Sequence, residues 1–180
     1  MNTDFLPTIY VGTLLLLLIG VAIFLLRQIF QTRRQEDSLS KLQEKFKENT
    51  GSPQEYYELG SIFLRKKLYV RAAKVFEKVI KRKDVEPENR ALAFNALGYT
   101  FFAREQYDVA IRQYKEALKL NPAYTVAWNN LGKVYEQKSL TVQALEAYEK
   151  TLQIDSSDRT AKQRAEALRK RFAPSEETTG

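Results

Sequence analysis

Histidine and cysteine are both absent from this 180-residue chain. Their absence removes Ser-His-Asp and Cys-His catalysis, His/Cys zinc sites, thiol redox centres and disulfides. Carboxylates and lysines remain, so catalysis is not forbidden, but the commonest general base is missing. There is no phosphate-binding glycine loop, no metal-ligand spacing and no paired carboxylates in a catalytic setting. No cofactor and no small-molecule substrate are expected. Only five prolines and seven glycines punctuate the chain, and 44% of it is apolar. That composition suits an all-α intracellular protein.

Charge is also missing where the chain starts. Residues 1–26 hold one charge, Asp4, and all 29 Lys and Arg follow them. The run Phe5 to Leu26 is 22 residues long and uncharged. As a helix it would measure about 33 Å, against about 30 Å for a bilayer core. It is too long for a cleaved leader, and no A-x-A pattern follows it. We therefore expect a transmembrane helix at 5–26 after a short tail, 1–4. Gly12 and Gly20 fall on nearly one face, where another helix can approach closely. Arg27, Arg33 and Arg34 follow the run, so the positive-inside rule puts the body of the protein in the cytoplasm or stroma. Residues 27–52 read as an amphipathic juxtamembrane connector with a narrow stripe of Leu39, Leu42 and Phe46. A plain helical extension of the anchor is the alternative.

A sharper signal begins at Ser52-Pro53-Gln54-Glu55, a capping box with proline at the first helical position. From there the chain repeats. Leu97 and Leu131, Gly98 and Gly132, Ala110 and Ala144, and Tyr114 and Tyr148 are each 34 residues apart, and a first copy lies 38 residues earlier at Leu59, Gly60, Ala72 and Phe76. With repeats starting at Pro53, Ala91 and Thr125, the bulky fourth position is Tyr56, Phe94 and Trp128. The eleventh is Phe63, Phe101 and Tyr135, and the twenty-fourth is Phe76, Tyr114 and Tyr148. This pattern resembles the tetratricopeptide (TPR) repeat. The resemblance implies two antiparallel helices per repeat, with small residues (Gly60 and Ala72 in the first) letting the helices approach. The expected fold is a right-handed α-solenoid: TPR 1 at 53–86, a loop at 87–90, TPR 2 at 91–124 and TPR 3 at 125–158. A capping helix at 159–172 and a disordered tail at 173–180 complete it.

Positions two, five, nine and twelve of each first helix are those that line a TPR groove. Here the candidate protein-binding residues are Tyr57, Leu64, Leu92, Asn95, Tyr99, Phe102, Asn129 and Lys133, accompanied by Gln54, Ser61, Val126 and Glu136. Aromatic side chains beside amides suit a peptide. TPR cochaperones that hold acidic heat-shock tails need Lys, Asn, Lys and Arg where this chain has Tyr57, Ser61, Val126 and Asn130. That role is therefore excluded. The last helix carries six cations (Arg159, Lys162, Arg164, Arg169, Lys170 and Arg171) against Glu166. No aromatics are interleaved among them, so they read as a solvated cap rather than a nucleic-acid surface.

The order of parts narrows the resemblance. An N-terminal span, the stretch LRQIFQTRRQEDSLSKLQEKF and three repeats including NALGYTFFAREQYDVAIRQYKEALKLNP are similar to one family. It is the hypothetical chloroplast open reading frame thirty-seven family of cyanobacteria and algal plastids. The resemblance implies a thylakoid-membrane scaffold, not an enzyme, that assists assembly or stabilisation of photosystem I. Its partners would be the photosystem's core subunits or assembly intermediates and the lipid bilayer. The other readings are a membrane-anchored adaptor or organelle import receptor for a different peptide.

Overall fold

The computed structural model describes residues 5–172, with the side chains of 5–8, 32, 34, 35 and 172 left aside. The expected tails at 1–4 and 173–180 lie outside the described residues. All regular structure among the described residues is helical: α1 (Phe5–Glu48), α2 (Pro53–Arg65), α3 (Tyr69–Lys81), α4 (Pro87–Phe102), α5 (Tyr107–Leu120), α6 (Thr125–Gln137), α7 (Thr141–Ile154) and α8 (Arg159–Phe172). The chain divides after Thr50 into two compact units.

The first unit is α1. It runs through the expected boundary at residue 26 without a break, so the connector is a continuation of the apolar helix. Arg27, Gln28, Glu36 and Lys41 are all good helix formers, and no Gly or Pro interrupts residues 21–48. At 1.5 Å per residue the helix is about 66 Å long. It is long and apolar enough to cross a membrane, and its side chains from Ile9 to Phe30 are exposed. Lower on the helix Leu42 is buried, and Leu39 and Phe46 are half-buried. The helix ends at Glu48, where Asn49 takes a left-handed φ of 60°. Gly51, two residues on, has no positive φ. It lies under the ring of Tyr56 instead, where a β-carbon would overlap the ring.

The second unit is a stack of helices, each packed on the next. The first helices of successive repeats also touch, α2 on α4 and α4 on α6. Ser52 caps α2: its hydroxyl accepts from the Glu55 amide at 3.2 Å, and the Glu55 carboxylate accepts from the Ser52 amide at 2.8 Å. The loop expected at 87–90 is helix. Pro87 has no amide hydrogen to leave unpaired and Glu88 suits the positive end of the helix dipole, so α4 starts one turn ahead of the repeat frame. The link itself is residues 82–86, where Lys83, Asp84 and Glu86 are exposed but the segment is tied down. Val85 is buried, Arg90 Nη2 donates to the Arg82 and Val85 carbonyls at 3.0 Å each, and Arg82 Nη1 donates to the Gly51 carbonyl at 2.6 Å.

The repeat glycines serve aromatic rings. A β-carbon at Gly60 would lie 2.6 Å from Phe76, one at Gly98 would lie 2.7 Å from Tyr114, and one at Gly132 would lie 2.8 Å from Tyr148. Each glycine on a first helix thus receives the ring of position twenty-four on the second. Ala72, Ala110 and Ala144 are fully buried beside these contacts. Helix α8 buries Ala161, Ala165 and Leu168 in one cluster with Ala144 and Tyr148. It thereby covers the apolar face that α7 would otherwise expose.

Candidate functional site

The first helices α4 and α6 bring part of the expected groove together. Tyr99 is 45% exposed, and its ring lies 6.5 Å from that of Phe102. Phe102 in turn stacks at a tilt on Tyr107, 5.8 Å away. The Lys133 ammonium stands 5.1 Å from the Phe102 ring centre, a cation–π contact that reaches from α6 to α4. Leu92 and Val126, one repeat apart, are 36% and 50% exposed. Tyr107, at the start of α5, was not expected. It belongs to no first-helix position, and only the turn between α4 and α5 carries it there.

The amides behave differently from the expectation. Asn95 is only 9% exposed. Its Nδ2 donates to the Tyr124 hydroxyl at 3.2 Å, and its Oδ1 accepts from Asn130 Nδ2 at 2.9 Å. Asn129 Nδ2 donates to Asp158 at 2.8 Å, the same link one repeat later, while Asp158 caps α8 through the Ala161 amide at 2.8 Å. These amides staple α4 to the entry of α6 and α6 to the entry of α8. A buried amide must find partners, and the next repeat provides them for both ends of Asn95, whereas Asn129 Oδ1 is buried without one among the described residues. Asn95 is therefore a structural clamp and not an open groove residue.

Tyr57 is half-buried with its ring 5.6 Å from Phe76. It shares a small pocket of about 100 Å³ with Gln54 and Leu92. Leu64 is half-buried near the end of α2, and the Ser61 hydroxyl is taken up by the Tyr57 carbonyl. Glu136 accepts from the Tyr148 hydroxyl at 2.6 Å and faces Arg164 at 3.7 Å, which ties α6 to α7 and α8. Burial raises the phenol of Tyr57, and burial pushes Tyr124 up to about 12 although its bond with Asn95 works the other way. Both rings are neutral at physiological pH.

On α1, a β-carbon at Gly12 or Gly20 would meet nothing within 4 Å. Arg27 and Arg33 are exposed, and the side chain of Arg34 is outside the described set. Among the described residues, no group of three or more carboxylates is arranged to hold a metal ion.

Stacked helix pairs at a 34-residue period, with a glycine under an aromatic ring in each, define a TPR protein. A TPR-repeat family model matches residues 89–139, and a tetratricopeptide-repeat model matches residues 126–158. The crystal structure of MamA shares the fold, with a TM-score of 0.68 at 23% identity over 79% of this chain and 82% of that one. The first TPR of Spaghetti (RPAP3) bound to HSP90 peptide SRMEEVD also matches, with a TM-score of 0.61 at 20% identity over 68% of this chain and 94% of that one. Sequence relatives are more specific. The ycf37 protein of Cyanophora paradoxa is 32% identical, over 89% of this chain and 94% of its own. The ycf37 protein of Guillardia theta is 33% identical, over 87% and 88%. The chloroplastic TPR protein PYG7 of Arabidopsis thaliana is 38% identical over 88% of this chain, which spans only 53% of that longer relative. The chain belongs to the ycf37 family. It is a TPR scaffold for protein–protein interaction.

Proposed function

We propose that this chain is a thylakoid-membrane-anchored scaffold that assists assembly or stabilisation of photosystem I through protein–protein contacts. The observation that carries the proposal is the presence, in one member of this family, of both a membrane-length apolar helix and an exposed aromatic face around Tyr99 and Phe102. Helix α1 would hold the repeats at the bilayer where large subunits insert. Confinement raises the effective concentration of a weak contact, so modest affinity suffices. The chloroplastic relative supports a photosynthetic membrane, and Arg27 and Arg33 support a stromal or cytoplasmic repeat domain. The fold supports a binding role rather than catalysis. A protein segment is the class of occupant, as in the RPAP3 complex, but Tyr57 and Val126 cannot form a carboxylate clamp for that kind of acidic tail.

The test is affinity capture of the full-length protein from gently solubilised photosynthetic membranes that carbonate washing has cleared of peripheral proteins. Recovery of photosystem I core subunits, reduced at least tenfold by Tyr99→Ala with Phe102→Ala, is the expected result. Release of the protein by carbonate would refute the anchor. Capture of other membrane proteins without photosystem I subunits would return the protein to a general TPR adaptor.

A further inference from the structure

The outer face of the stack carries a second feature. Between the second helices α5 and α7 runs an open groove of about 420 Å³. Its floor is the back of α6, where Trp128, Leu131 and Tyr135 present the fourth, seventh and eleventh repeat positions outward. Leu131 is buried, whereas Trp128 and Tyr135 are half-buried and leave apolar surface open. The indole is held in place, since Trp128 Nε1 donates to the Pro122 carbonyl at 2.9 Å. Lys115 and Lys119 stand on the α5 rim and Lys150 on the α7 rim, with Glu146 among the lining residues and Glu116 beside them. Lys119 pairs with Glu116 at 2.5 Å, while Lys150 donates only to the neutral Gln153 at 3.1 Å. The sister groove over α4, of about 290 Å³, has a similar floor of Phe94, Leu97 and Phe101 but a lining whose charged residues are one lysine, Lys81, and one carboxylate, Glu77. The cationic rim is therefore particular to the groove over α6, and the repeat packing does not require it.

We propose that this outer groove is a second docking site, for an acidic protein segment that inserts large apolar side chains over Trp128 and Tyr135. The rim chemistry selects the partner: with Lys119 taken up by Glu116, Lys115 and Lys150 attract carboxylates flanking an apolar anchor, and like charge repels a basic segment. A scaffold with one site on each face can hold two partners at once, which is what joining subunits demands.

Trp128 is the single tryptophan of the chain, so its fluorescence reports on this groove directly. The experiment titrates the full-length protein, in nonionic detergent, with a capped fourteen-residue peptide of Leu, Phe and Glu at helical spacing. A second peptide has every Glu replaced by Lys. Saturable change in Trp128 emission with the acidic peptide is expected, with at least tenfold weaker response to the basic one. Lys115→Glu with Lys150→Glu should weaken binding at least tenfold, and the milder Lys115→Gln with Lys150→Gln several-fold. Circular dichroism checks that each variant stays helical. Tyr99→Ala with Phe102→Ala, on the other face, should leave the affinity within twofold. No saturable change, equal binding of the basic peptide, indifference to both lysine pairs, or loss of binding in the Tyr99 and Phe102 variant would each overturn the proposal.

Discussion

Gly98 shows how one missing atom sets the helix spacing. Its absent β-carbon would lie 2.7 Å from Cε1 of Tyr114, and that ring is almost wholly buried with nowhere to go. Overpacking of this kind costs about 1–3 kcal/mol. Gly98→Ala should therefore destabilise the protein by that amount in urea unfolding followed by circular dichroism. Gly12→Ala, where nothing lies within 4 Å, should leave the transition in place. The period made Gly98 legible in the sequence, but not its partner, because a period says which positions are equivalent and not which atoms meet. Asn95 is the complementary case. Its type and position suited a groove, yet Tyr124 and Asn130 consume its amide. That pairing spans 29 residues on one side and 35 on the other, beyond the reach of any local pattern.

At the scale of the element, the turns within repeats share one geometry. Lys67, Glu105 and Ser139 occupy the fifteenth position of each repeat with left-handed φ of 57°, 59° and 58°. The following amide in each turn donates back to the carbonyl of position eleven: Leu68 to Phe63 at 2.8 Å, Gln106 to Phe101 at 2.9 Å and Leu140 to Tyr135 at 2.9 Å. This is the glycine-type helix ending, made here by residues with side chains. A β-carbon is strained in that region, and glycine is not. Lys67→Gly, Glu105→Gly and Ser139→Gly should each raise stability by about 0.5–1 kcal/mol, read as a higher urea midpoint with unchanged slope. The sequence did not reveal these turns, since none of the three is the glycine or asparagine that favours a left-handed φ. The start of α4 was missed for the opposite reason: the repeat frame pointed to Ala91 while Pro87 and Glu88 supplied a better local start.

Across the whole molecule, aromatic burial couples stability to alkaline pH. Burial raises Tyr114, burial followed by the Glu136 contact raises Tyr148, and burial pushes Tyr124 up to about 12, all from an ordinary 10.0. A raised phenol keeps its proton in the fold while the unfolded chain releases it. Stability is thus fully present below the unfolded value near 10 and is lost as pH rises through the folded values. The urea midpoint should be flat from about pH 7 to 9.5 and fall steeply above about 10.5. Tyr114→Phe should soften that fall by removing one of the raised phenols, of which Tyr57 is a fourth. A midpoint unchanged up to about pH 11.5 would contradict the burial of these rings.

The linear chain by itself determined the helical class, the repeat period, the capping box at Ser52 and the apolar character of α1. Each of these is encoded in neighbours or in a fixed spacing, and elementary propensity reads both. Tertiary structure alone decided which amides became clamps, that Tyr107 joined Tyr99 and Phe102, and that Trp128 and Tyr135 floor an outer groove with a lysine rim. Those outcomes depend on side chains from two or three helices meeting in space. A one-dimensional pattern places them on the same list, and only packing places them on the same surface.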